Sequence, residues 1–147
     1  MKQMGLAMHN YHEVYGHFPA GTHPNEKLKP EKRLSWMAIV LPFIDQNPLF
    51  EEIDFEESWD DEVNQEQMQR RIQVYLNPGF GDVDSEYGLA HYVGIAGVGK
   101  DAPTLPARHK RAGIFGYNRK SRLRDITDGS SNTIMVMEAI KNFGPWG

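Results

Sequence analysis

The sequence predicts an α+β fold on three observations: an apolar stripe at helical spacing opens the chain, short capped helices follow, and glycine-punctuated apolar runs close it. Met4, Ala7, Met8, Tyr11, Val14, Tyr15 and Phe18 fall on that stripe, which predicts a helix over 2–16. Met1-Lys2-Gln3 offers no Ser, Thr, Asp or Asn as a cap, the expectation for a helix that starts further upstream. Gly16 suits the left-handed residue that ends a helix, and Phe18-Pro19 leads out extended, because the residue before a proline avoids the α region.

Residues 21–33 are polar and without period, and read as a surface loop. Ser35 can cap a second helix over 36–44, with Pro42 as a kink or last turn. Asn47-Pro48 places a cap before a first-turn proline and predicts a short helix to residue 53. An acidic first turn, Met68, Ile72 and Tyr75 on one face, and Arg70 and Arg71 near the end predict a helix over 61–75, stopped by Asn77-Pro78-Gly79. Strands are expected over 90–96, 114–117 and 133–139. The near-continuous apolar character of the last suggests burial on both faces. Helices precede strands and nothing repeats, so alternating βαβ units are not expected.

A chain of 147 residues with 39% hydrophobic residues can bury one core, and a single domain over 1–147 is expected. A net charge of −4 argues against nucleic acid as the primary partner, since phosphate binding needs a dominant basic surface. Without cysteine there is no disulfide, thiolate nucleophile or cysteine zinc site. No apolar run reaches the ~18 residues of a membrane helix. Charge is segregated between an acidic stretch, Glu51 to Glu66, and a basic one, Arg108 to Arg124. These are two solvated faces, or complementary ends that steer one subunit onto the next.

His9, His12 and Glu13 share the first helix, but their order lacks the His-Glu-x-x-His spacing of a zinc hydrolase, so packing and surface roles are expected. Asp125, Asp128 and Asn132, with Ser130 and Ser131 around Gly129, gather the hard oxygen donors that calcium prefers. The alternate spacing of an EF-hand is missing, and a tight turn at Asp128-Gly129 explains the same residue types. Gly94, Gly97 and Gly99 match no phosphate loop and read as a strand exit. Trp36, Trp59 and Trp146 suit the core, or else the wall of a glycan site. No nucleophile–base pair stands out, no Gly-x-Ser-x-Gly occurs, and no enzyme activity is expected.

Taken in order, Lys2-Gln3-Met4-Gly5-Leu6-Ala7-Met8-His9-Asn10-Tyr11-His12, Phe18-Pro19, Leu34-Ser35-Trp36, Leu41-Pro42-Phe43-Ile44-Asp45-Gln46, Leu49-Phe50, Ser58-Trp59-Asp60, Tyr92-Val93-Gly94 and Asp125-Ile126-Thr127-Asp128-Gly129-Ser130-Ser131-Asn132-Thr133-Ile134 form a specific series. It resembles the planctomycete family of prepilin-like proteins, catalogued as a domain of unknown function and as a solute-binding family. The resemblance covers nearly the whole chain. It implies a prepilin leader and hydrophobic helix upstream of Met1, export to the cell envelope, periplasm or cell exterior, and a pilin-like fold with the first helix packed on a C-terminal antiparallel sheet. Membrane attachment would then run only through that upstream helix. Where many relatives carry Cys-Pro, this chain has Leu76-Asn77-Pro78, so their disulfide is not expected here.

The expectation is therefore a non-enzymatic structural subunit like the pseudopilins of type II secretion, partnered by further copies or other envelope proteins. Its first helix would lay the methionine stripe on the sheet and leave Leu6 free. The alternative is an extracellular module that binds a solute or polysaccharide. No cofactor is expected beyond calcium at the Asp125–Asn132 segment.

Overall fold

The computed structural model describes residues 1–81, 83–141 and 143–147. Helix α1 spans Lys2–Tyr15 and ends at Gly16, whose φ of 74° is the expected left-handed cap and whose N–H donates to the His12 carbonyl at 2.8 Å. Met4, Ala7 and Met8 are its buried residues, packed on the turn Leu41–Ile44. The stripe stops short of its sequence extent: Val14 and Tyr15 lie exposed, and Leu6 is exposed as anticipated.

Ser35 caps α2 (Trp36–Ile39) by accepting from the Met37 N–H at 3.0 Å. The helix is shorter than expected, because Pro42 has no N–H to continue the ladder and the chain tightens into a 3₁₀ turn over Leu41–Ile44. Helix α3 (Asn47–Glu52) carries Pro48 in its first turn, one residue earlier than its expected start.

The helix expected over 61–75 is reduced to α4 (Gln65–Met68) and a 3₁₀ turn at Gln73–Tyr75. Its onward carbonyls are taken by distant partners. The Met68 carbonyl accepts from the Gly88 N–H at 2.7 Å and the Arg70 carbonyl from the Trp146 indole at 2.9 Å. Upstream, buried Asn64 binds the Asp54 backbone and the Ser58 carbonyl, fixing a turn in place of a first helical turn.

The C-terminal sheet is two separate antiparallel ribbons. Strand β1 (Leu89–Ala90) pairs with β4 (Gly144–Pro145), and β2 (Tyr92–Gly94) with β3 (Val136–Glu138). The expected strand over 90–96 is divided at His91, whose N–H goes to the Tyr75 carbonyl and whose ring accepts from the Asn77 N–H. The strand expected over 114–117 is absent because its backbone is claimed elsewhere: Gly116 and Tyr117 bind Gly21 and Thr22, and the Ile114 carbonyl accepts from Ser121. Nor is the last strand buried on both faces, for Ile134 and Met137 are exposed.

One cluster runs through the core from Met4 to Trp146, including Phe18, Leu34, Trp36, Leu41, Tyr75 and Phe115. Tyr75 donates to the Met37 carbonyl at 2.7 Å, and burial pushes its hydroxyl pKa upward. The 96–119 region is instead organised by a charge. Arg119 is 6% exposed and donates to the carbonyls of Ala96, Gly113, Phe115, Leu105 and Ala102. Arg119→Met strands those five acceptors and is expected to cost about 3–5 kcal/mol in urea unfolding. Arg119→Lys should recover only part of this loss, because an ammonium lacks the planar fork of donors.

Candidate functional site

The segment singled out as a cation loop is a turn. Leu123–Asp125 forms a 3₁₀ turn, Gly129 takes a φ of 87°, and Ser130–Asn132 forms another 3₁₀ turn. Asn132 uses its amide N–H to donate to the Asp128 carbonyl at 3.0 Å, and Thr133 donates to the Gly129 carbonyl at 3.2 Å. Both Asp125 oxygens are engaged: Oδ1 accepts from Arg108 Nε at 2.9 Å and Oδ2 from the Arg122 N–H at 3.0 Å. The Arg108 hydrogen bond is the main cause holding the Asp125 carboxyl below the ordinary carboxylate range. Asp125 and Asp128 line one cleft of about 110 Å³ together with Arg108, His109 and Lys110. A calcium ion there would displace a guanidinium and approach two further basic side chains. Among the described residues, no three His, Asp or Glu side chains converge as a metal site.

The other sequence candidates are separately placed. His9 and His12 rest against Phe18 with ring centroids 5.9 and 4.8 Å away, and His12 Nε2 accepts from the Leu123 N–H at 3.4 Å. Gly97 and Gly99 have φ of 124° and 101°, turning the chain after β2 while the Val98 N–H donates to the Arg111 carbonyl. Trp36 stacks on Phe115 and is buried, as is Trp146. Both border a narrow cavity of about 180 Å³ with Tyr92 and Val93, but their burial leaves little ring for a glycan. Half-exposed Trp59 stands apart against Tyr87, its indole donating to the Glu31 carbonyl.

Some of the segregated charges find partners: Glu52 with Arg70, Glu56 with Lys27 and Asp60 with Lys32 in the acidic stretch, Asp125 with Arg108 and Asp101 with Arg111 in or beside the basic one. Arg111 holds the Asp101 carboxyl down at about 2. Such exposed pairs contribute little to stability.

An apolar groove of about 330 Å³ lies between the start of α1 and the approach to β3, lined by Met1, Met4, Met8, Ile134, Met135 and Val136, with Gly5 and Lys2 at its margin. Met4 and Met8 belong to the helical stripe read from sequence. Their partners were expected in a fully buried strand, so the groove itself had no sequence signal beyond the unusual length of that apolar run.

Thermal unfolding of the metal-stripped domain should be unchanged by millimolar calcium, since a ligand stabilises only by occupying the folded state. A rise in Tm abolished by Asp128→Ala would instead establish a calcium loop. Asp125 should act as a pH-linked contact: its pKa is lower folded than unfolded, so its contribution is present above about pH 4 and is lost as pH falls through the depressed folded value. Urea midpoints measured from neutral to acidic pH should show a smaller acid loss in Asp125→Asn.

No curated protein and no solved structure matches the chain. The family model described as Protein of unknown function (DUF1559), whose short name SBP_bac_10 is worded for a bacterial solute-binding protein, matches residues 1–143. Spanning nearly all of the folded core, that match means that the chain belongs to the DUF1559 family.

Proposed function

We propose that the domain is a non-enzymatic subunit of an exported, pseudopilin-like assembly, joined to a neighbouring copy through the apolar groove at the start of α1. The groove carries this reading. Its lining is almost wholly apolar, and Ile134 at its edge is 67% exposed. Apolar surface left open beside a helix is removed from water when a partner covers it, at about 25 cal/mol per Å². A helix from a second copy would bring side chains that fit between the methionines, whose flexible thioethers adapt to the partner surface.

A second reading, an extracellular module for a solute or polysaccharide, is favoured by the wording of the family's short name. The natural gene separates the two. A basic leader and a hydrophobic helix encoded upstream of Met1 belong to the assembly reading, whereas a cleavable signal peptide alone belongs to a free binding protein. Sedimentation velocity tests the groove directly. The domain should associate with rising concentration and Ile134→Glu should remain monomeric; identical monomers at every concentration would count against the groove as a self-contact.

A further inference from the structure

A further cavity, of about 450 Å³, lies between the Pro30–Lys32 turn with adjoining Arg33 and the segments 103–107 and 117–120. Its lining contains Arg33, Arg119 and Lys120 and neither aspartate nor glutamate. Arg33 is 9% exposed, with Nε donating to the Leu28 carbonyl and Nη1 to the Asn118 side-chain oxygen, both at 2.9 Å. Among the described residues its Nη2 group has no acceptor, which leaves those donors for another partner. Among the described residues, Arg119 has only carbonyls as hydrogen-bond partners and exposed Lys120 has no ion-pair partner.

Two guanidinium groups are thus withdrawn from water beside a cavity that contains no compensating carboxylate. Burial pushes the Arg119 pKa below its ordinary value, as expected for a cation that lacks a counter-charge. Carbonyl dipoles satisfy its hydrogen bonds but leave the net charge in place. Pro103, Pro106 and the Tyr117 ring add apolar surface next to the cations. The requirement is for an anion carried on a compact organic body.

We propose that this cavity binds a small anionic solute, with its carboxylate or sulfate group held by Arg33 and Lys120 beside the buried charge of Arg119 and its body resting on Pro103, Pro106 and Tyr117. The site is separate from the α1 groove and does not depend on the assembly reading. Arg33, with its Nη2 protons uncommitted among the described residues, is the orienting contact, Lys120 acts as an adjustable point charge, and Arg119, whose Nε and Nη1 protons are spent on carbonyls, contributes the field of its uncompensated charge.

Amide NMR titration with glucuronate, sodium sulfate and glucose tests it. Glucuronate and sulfate should shift the Leu105, Tyr117 and Asn118 amides at matched ionic strength, and neutral glucose should not. Their relative affinities distinguish a carboxylate-preferring site from a sulfate-preferring one. Lys120→Gln, a change at an exposed position with no ion-pair partner, should weaken glucuronate binding roughly tenfold, the scale of one lost charge-assisted contact. Absence of a response to both anions, an equal response to glucose, or unchanged affinity in Lys120→Gln would overturn the proposal.

Discussion

The fold depends on the burial of Trp146. Its side chain is fully withdrawn from solvent, its indole donates to the Arg70 carbonyl, its N–H donates to the Gly88 carbonyl, and its own carbonyl accepts from Ser35 Oγ at 2.5 Å. Three distant parts of the chain therefore meet at one residue: the cap of α2, the exit from α4 and the ribbon made by β1 and β4. Gly88 is constrained by the same junction, since a Cβ there would overlap the Arg70 carbonyl oxygen and crowd the indole nitrogen. Regular structure is sparse around this point because the backbone groups that would extend it are spent on tertiary bonds.

Arg119 provides a second centre with a different physical basis. Around Trp146 the gain is removal of apolar surface from water; around Arg119 it is the gathering of otherwise unpaired carbonyls on one rigid fork. Both centres permit short elements and long irregular connections. The open features remain at the margins: an apolar groove where α1 approaches β3, and a basic cavity beside the Arg119 loop.

What the sequence made legible was local. Helical spacing identified α1, Gly16 its end, and Ser35 the cap of α2, because each depends on residues within a turn or two. The α+β class followed from the order of those patterns. The long middle helix failed because Met68 and Arg70 give their carbonyls to Gly88 and Trp146, partners that no window around residue 70 contains. The strand over 114–117 failed for the same reason, its backbone being bonded to Gly21, Thr22, Ser121 and Arg119. At the candidate sites, Asp125 was visible as an oxygen donor, but its engagement by Arg108 was not. Arg33 and Arg119 looked like ordinary surface cations; their burial emerges only when distant loops converge.

The bond between Ser35 and Trp146 spans 111 residues, which has a consequence for the order of events during synthesis. A ribosome adding about 5–20 residues each second needs several seconds to produce that interval. Through that time α1 can already pack on the Leu41–Ile44 turn, but the Trp146 junction between the cap of α2 and the exit from α4 has yet to form. A chain still short of Trp146 therefore carries its first helix and the turn beneath it without the fastening between the α2 cap and the Arg70 carbonyl, which that one residue supplies.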